Sequence, residues 1–311
     1  MAPSSIQWPE GKEFAFTIVD DTDVSFLPRV SPVYEFLHAN GFRTTKTAWP
    51  LRARGRGITG GDCLEDEGYR KWVLELQSQG FEIAIHGVAD ETSDRARVLE
   101  GLDRFRRYLG HDPTMHVNHV GQDEAVYWGS ARLDGPVRSA YWLYRKYRGS
   151  SYESFGHRPD SDKFWGDICY KFIRYVRNLV YPDINTIRAD PLMPYHDPRR
   201  PFVRYWYSAS YGSGLENFVR LVSEENQDRL RREGGACIVY THLGSSFYPL
   251  DPEFRRLMTR LGSLPGWFVP ASTLLDYLGE QRGWQDVSRR RLSYMRMQYN
   301  WLYQQYVRKM S

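Results

Sequence analysis

The sequence predicts an α/β fold built on a parallel sheet, either a closed barrel or an open doubly wound sheet. Three observations carry this. From Phe14 to Val120, short runs rich in β-branched and aromatic residues alternate with helix-like segments. Gly and Asn stop those helices, at Asn40-Gly41, Gly80 and Gly110. Residues able to do chemistry stand at the carboxyl ends of the strands, where both architectures gather their sites: Asp20 and Asp21 on the first, His86 on the third, His116 and His119 on the fourth.

Phe14-Ala15-Phe16-Thr17-Ile18-Val19 reads as a buried first strand that runs into Asp20-Asp21. Two adjacent carboxylates in a confined place are costly unless a cation or a shared proton relieves them. They are useful for the same reason, since one can hold a metal while the other takes a proton. The competing reading is that they cap the next segment.

A helix follows from Ser31 to Asn40, with Pro32 in its first turn. The next strand is 42–49, then a helix over 65–79, a third strand over 81–86 and a charged helix over 94–109. The fourth strand is 114–120. From about 130 to 182 the chain turns aromatic and basic, with Tyr141 to Arg148 and a helix-like 164–180, and reads as an insertion over the catalytic face. Strands resume at 185–188, 202–208 and 236–242, with a helix over 214–233 before the last of these. A short strand at 267–270 leads into a helix over 272–278. The domain reading is a barrel-type unit over 1–280 with that insertion, and a helical tail over 281–311.

The chain has 311 residues, 41% hydrophobic and 15% aromatic, with 10 Trp and 22 Tyr, enough for a sizeable core. Aromatic faces line sugar clefts as well as cores. A net charge of +4 is too weak to indicate nucleic acid. Three cysteines, Cys63, Cys169 and Cys237, have no Cys-x-x-Cys spacing and fit a reduced compartment. The first residues lack a basic and then apolar leader, and no apolar stretch reaches the ~20 residues of a spanning helix. The expectation is therefore a cytoplasmic or membrane-peripheral protein.

Taken together, Asp20, Asp21, His86, Asp90, His119 and His242 form a carboxylate and imidazole set suited to zinc or a related divalent ion. These residues resemble the polysaccharide deacetylases with the NodB-homology domain. Thr17-Ile18-Val19-Asp20-Asp21 is similar to that family's Thr-Phe-Asp-Asp motif. Gly80 to His86 is similar to the strand leading into its second motif, and Ile238-Val239-Tyr240-Thr241-His242 to its Leu-x-His motif. Gly266 to Pro270 resembles its closing strand. The resemblance covers roughly 12–120 and 215–280.

It implies a distorted (β/α) barrel of about seven parallel strands, carrying the aromatic and basic helical insertion and a C-terminal helix. It implies a metal-dependent hydrolase that removes an acetyl or formyl group from an amino sugar or polysaccharide. Asp20 would be the base, His242 the acid, and Asp21 and His86 metal ligands. The ion would be Zn2+, with Mn2+, Fe2+, Co2+ or Ni2+ as alternatives. The alternative function is a catalytically degenerate deacetylase-like barrel that binds glycan in polysaccharide assembly. A glycosidase would need two carboxyls across a cleft rather than adjacent in sequence.

Departures from the family pattern leave choices open. Asp90 stands where a second His is expected, so it is either a ligand or an N-cap for the next helix. His119 or His116 is the substitute ligand. Three apart on a strand, they point to opposite sides, and His119, nearer the end, is preferred. The family's Arg-x-Pro-Tyr is replaced by Val117-Asn118-His119-Val120, which removes the arginine that would tune the base. Lys46 is the candidate to supply that charge. Lys46, Trp49 and Asn118 are the candidate substrate contacts. Trp165-Gly166-Asp167 is the candidate for the family's Asp-Trp segment, and His157 reads as a loop histidine that either faces solvent or lines the cleft. The basic residues Arg145, Lys146, Arg148, Lys171, Arg174 and Arg177 are read either as a solvated face or as a surface meeting anionic lipid or a lipid-linked sugar. The tail places Leu292, Met295, Tyr299, Leu302 and Tyr306 on one seam, to dock on the barrel or to pair two subunits as a homodimer. Arg289-Arg290-Arg291 adds peripheral membrane contact as a third option.

Overall fold

The protein, seen in a computed structural model, is described over residues 6–149 and 152–310, the last four by backbone alone. The residues through Ser5, on which part of the leader expectation rests, lie outside this range.

Its strands are β1 (Phe14–Asp20), β2 (Thr45–Ala48), β3 (Glu82–Ile85), β4 (Met115–His116), β5 (Tyr175–Tyr181), β6 (Tyr195–His196), β7 (Tyr205–Tyr211), β8 (Ala236–Thr241), β9 (Gly266–Trp267) and β10 (Gln285–Asp286). Seven of them pair in parallel in the order β1-β2-β3-β4-β5-β7-β8, and β8 returns to β1, closing a barrel. β6 lies antiparallel to β7, β10 pairs with β6, and β9 pairs with β1. Every residue of β1 is buried, as expected of a strand covered by helices on one face and by the barrel interior on the other.

The early elements form where their sequences indicate. The first helix, Leu27–Ala39, starts earlier than the expected Ser31: Pro28 stands in its first turn, where a missing N–H costs nothing, and Pro32 lies inside it. The helix Arg95–Leu109 is capped by the Asp94 carboxylate, which accepts from Arg97 N at 2.8 Å, and is stopped by Gly110 in the left-handed region.

Four expectations change. The helix-like 164–180 is a short helix, Gly166–Phe172, followed by β5, a barrel strand; its Tyr175, Val176, Val180 and Tyr181 are strand formers. The expected strand 185–188 is a helical turn, Thr186–Ala189, opened by the Asn185 side chain accepting from Arg188 N. The expected helix 214–233 is two, Leu215–Leu221 and Glu224–Arg232. The tail buries a different face from the expected seam. Among the described side chains of the helix Arg291–Met310 the buried ones are Tyr294, Met297, Gln298, Trp301 and Leu302; of the expected seam Leu302 is buried and Met295 half-buried, whereas Leu292 is 86% exposed and Tyr299 and Tyr306 are exposed. Aromatic partners in its own chain select that face. Tyr294 lies 5.4 Å from Tyr195, and Trp301 lies 5.1 Å from Tyr141 of the helix Gly135–Tyr147.

The docked face predicts a contrast measurable by urea denaturation. Tyr294→Ala should cost about 3–5 kcal/mol, as for other buried aromatics. Leu292→Ala should change stability by less than about 0.5 kcal/mol.

Candidate metal centre

Side chains alternate along a strand, so Asp20 and Asp21 leave β1 in opposite directions. Asp20 turns between β1 and the helix Leu27–Ala39. Its Oδ2 accepts from Tyr34 Oη at 3.0 Å and pairs with Lys46 Nζ at 3.0 Å, and its Oδ1 accepts from Leu243 N at 2.7 Å. Lys46 is the register partner of Asp20 on β2, which places the ammonium on the same face. Burial works to lower the Lys46 pKa, but Asp20 more than offsets it and the pKa is raised.

Asp21 turns into the barrel. Arg177 crosses from β5 and holds it with two bonds, Nη1 to Oδ1 at 2.8 Å and Nη2 to Oδ2 at 2.6 Å. The guanidinium also lies 4.2 Å from the centre of the Tyr240 ring. Burial works to raise the Asp21 carboxyl, yet Arg177 and then His86 outweigh it and hold the pKa below the usual carboxylate range.

Two residues on, Asp23 is the point where three imidazoles meet. His119 Nε2 is 2.6 Å from Oδ1, and His86 Nε2 and His242 Nε2 are 3.0 and 3.2 Å from Oδ2. The Thr59 hydroxyl donates to Oδ1 at 3.1 Å. Burial opposes ionisation here too, and the imidazoles together hold the carboxyl far below its ordinary value. A tight turn aims Asp23. Val24 sits at φ 55°, a strained conformation for a β-branched residue, and its N–H donates to Gly60 O at 2.8 Å.

The imidazoles are oriented from behind. His86 Nδ1 meets Val117 O at 3.0 Å, a contact that fixes the ring and turns Nε2 toward Asp23. His242 Nδ1 meets the Ser213 hydroxyl at 3.1 Å. Burial lowers the pKa of His119 and His242, but Asp23 and its neighbours more than offset this and both are raised. Just after His242, Gly244 packs so closely that a Cβ there would lie 2.5 Å from Ser25 Cα.

Of the residues singled out in the sequence, His86, His119 and His242 converge, and Asp21 stands beside them, 3.8 Å from His86 Nε2. Asp20 and Lys46 do not join the cluster, because they neutralise each other on the other side of β1. Asp90 does not join either. Its carboxylate accepts from Thr59 N and Gly60 N, clamping that loop; the Thr59 hydroxyl, which donates to Asp23, is 3.2 Å away, and His119 Nε2 stays at 3.9 Å. It is not the cap of the helix at Arg95, which Asp94 provides. Trp49 is buried and donates to His86 O at 2.9 Å. Asn118 borders the cavity while its amide pins Val126 through both N–H and C=O. His116 is a core residue, pushed down to about 3 chiefly by burial. His157 is half-buried against Tyr127, its ring 4.3 Å from the tyrosine's, and partial burial pulls it down to about 4. Asp167 pairs with Arg95, away from His242.

Sequence reasoning missed Asp23, Arg177 and Ser213. Asp23 is a third acid two residues past Asp21, in the turn after β1, where strand alternation no longer says which way a side chain points. Arg177 was hidden in a segment read as helix.

Two imidazole nitrogens and a carboxylate oxygen, from His86, His119 and Asp23, lie within 4.8 Å of one another, a donor set that fits a divalent cation. Among the described residues, Asp23 has no Lys or Arg partner, unlike Asp20 and Asp21. The group opens into a cavity of about 490 Å³ walled by Trp128, Tyr211, Tyr240 and Trp301, the last contributed by the C-terminal helix. No helix among the described residues is long and apolar enough to cross a membrane.

No protein-family model and no curated protein matches the chain. Solved structures do. A protein described as a polysaccharide deacetylase from Mycobacterium smegmatis aligns with TM-score 0.51 and 13% identity, over 89% of this chain and 94% of that one. Puue Allantoinase gives 0.51 and 12%, over 90% and 94%. A probable polysaccharide deacetylase from Pseudomonas aeruginosa PAO1 gives 0.51 and 12%, over 90% and 95%. At this identity the likeness is one of fold, and it is shared by enzymes of more than one name.

Two outcomes follow for the buried charges. Lys46→Met strands Asp20 and should cost about 3–5 kcal/mol in urea denaturation, while Asp20→Asn with Lys46→Met should recover most of that. Glu124, in the loop after β4, has both carboxylate oxygens buried without a hydrogen-bond partner, and burial pushes its pKa up to about 7. Its contribution to stability is full below the unfolded value of 4.5 and is lost as pH rises through about 7. That is a fall of about 3 kcal/mol. Glu124→Gln should flatten this part of the stability–pH curve.

Proposed function

We propose, starting from a chain with the fold of the polysaccharide deacetylases, that this protein is a metal-dependent hydrolase removing a small acyl group from a nitrogen or oxygen of a carbohydrate. The observation that carries the reading is Asp23. It is a buried carboxylate facing three imidazoles with no Lys or Arg among the described residues to neutralise it, beside a second carboxylate that is paired with Arg177.

Asp23, His86 and His119 would hold the ion; relative to the expected set of Asp21 and His86 with either Asp90 or a substitute histidine, Asp23 replaces Asp21 and His119 is the third ligand. When bound, the ion supplies Lewis acidity, lowering the pKa of a water and polarising the acyl carbonyl. Asp21, kept anionic by Arg177, takes the proton from the attacking water as its oxygen bonds to the carbonyl carbon. Arg177 thus has the part once expected of Lys46, and Asp21 the part expected of Asp20. His242 faces the group from β8 and is held toward its protonated form by Asp23 and Asp21. It gives its proton to the leaving amine or hydroxyl as the carbon–nitrogen or carbon–oxygen bond breaks. The products are a carboxylic acid and the freed sugar group. The aromatic walls around a polar floor suit a sugar, whose C–H faces stack on Trp and Tyr while its hydroxyls reach side-chain partners.

The test is metal content together with release of acetate or formate from acylated amino sugars. Wild type should bind about one divalent ion per chain; Asp23→Asn and His86→Ala should lose it. Asp21→Asn and His242→Ala should keep the ion and lose about 10²–10⁴-fold in kcat. Asp20→Asn should act through stability rather than through kcat. Metal retained with no acyl release from any acylated glycan would leave glycan binding without turnover, and a chain that takes up no ion would contradict the reading.

A further inference from the structure

A second cavity, of about 340 Å³, lies against the first, and Trp128 lines both. Its walls carry Arg138, Arg145, Lys146 and Arg158. Of the residues lining it, only Glu153 is acidic, and that carboxylate is bonded to Arg158 at 2.8 Å. The aromatic part of the wall comes from Trp128, Trp142 and Tyr152, with Lys146 Nζ 5.1 Å from the Trp142 ring centre. The excess of positive charge is built into the sequence: the helix Gly135–Tyr147 contains three basic residues and no acid.

The border between the cavities repeats the pattern. Arg132 lines the first cavity and is buried, its guanidinium 4.4 Å from the Trp128 ring centre and 4.9 Å from that of Trp301. It donates to Asn178 O at 2.8 Å, but its Nε has no hydrogen-bond partner, and no described carboxylate lies within ion-pair distance. Arg177, the other arginine of that cavity, is fully matched by Asp21. A buried guanidinium without a counter-charge is expensive, and the expense is relieved when an anion binds.

We propose that the second cavity is a phosphate subsite, and that the substrate is a phosphorylated sugar whose acyl-bearing ring sits in the first cavity while its phosphate reaches Arg138, Arg145, Lys146 and Arg158. Guanidinium forks match phosphate oxygens, and the shared Trp128 face carries the sugar between the two cavities. The sugar part of the proposal rests on the reading of the first cavity as a deacylation site; the phosphate part does not. The phosphate is a monoester in a soluble substrate or a phosphodiester in a lipid-linked one.

The experiment is calorimetric titration of the full-length chain with N-acetylglucosamine 1-phosphate and with N-acetylglucosamine, on wild type and on R138Q/K146Q. Both substituted residues are exposed. The phosphorylated sugar should bind about tenfold or more tightly than the neutral one, a preference that weakens with added salt. R138Q/K146Q should lose the preference while keeping its thermal midpoint and its metal content. Equal affinities, failure of both sugars to bind, or a preference that the double variant retains overturns the proposal. Co-sedimentation with phosphatidylglycerol vesicles, competed by the sugar phosphate and lost in R138Q/K146Q, assigns the phosphate to a lipid-linked source. No co-sedimentation, with the soluble preference intact, assigns it to a soluble one. Vesicle binding without any sugar-phosphate preference means that the basic face serves a membrane surface, and overturns the subsite. Because binding is read without turnover, a metal-free chain that keeps the preference sinks the hydrolase reading alone.

Discussion

Two consecutive carboxylates buried at the end of one strand are the constraint around which this barrel is organised. Strand alternation forces them apart, and each then needs its own cation brought in from a different element. Lys46 arrives from the neighbouring strand in register with Asp20. Arg177 arrives from β5 across the barrel to meet Asp21. Neither pair is a source of great stability by itself, since desolvation offsets much of the attraction. Their effect is to fix which charges remain unmatched. After both are settled, the acid left over at the mouth is Asp23, and the imidazoles of β3, the β4 loop and the end of β8 collect on it.

That division separates a structural task from a chemical one. The Asp20–Lys46 pair, with Tyr34 and the Leu243 amide, ties β1 to β2, to the first helix and to the turn that follows β8. The same turn carries His242. A group that never meets substrate can therefore set where the imidazole stands, and substitutions at Asp20 are read through folding before they are read through chemistry. The Asp21–Arg177 pair does the converse: it joins β5 to the carboxyl end of β1 within the cavity wall and presents a carboxylate held in its ionised form. The C-terminal helix adds the outer wall, lending Trp301 to a cavity whose floor comes from strands far earlier in the chain.

Much of this was legible in the sequence. The alternation of strand and helix gave the parallel sheet, and the strand ends drew attention to His86, His119 and His242, which do meet. The parts that were not legible failed for definite physical reasons. Asp20 and Asp21 read as one site because they are neighbours in sequence, although alternation at the strand end turns them to opposite sides, and it is the turn after β1 that brings Asp23 beside Asp21. β5 was taken for helix because Arg177 and Asn178 interrupt its apolar run, and a charge that points into a barrel looks in sequence like a charge that points into water. The tail seam was chosen by spacing alone; two faces of that helix are apolar, and the partners that choose between them, Tyr195 and Tyr141, are contributed by distant parts of the chain.

One measurement bears most directly on whether the leftover acid is a metal ligand: anomalous diffraction from crystals of the full chain grown with zinc. The account predicts one strong peak at bonding distance from Asp23, His86 Nε2 and His119 Nε2, with Asp21 still clasped by Arg177. A peak bridging Asp20 and Asp21, or no peak between Asp23 and the imidazoles at saturating zinc, would contradict it.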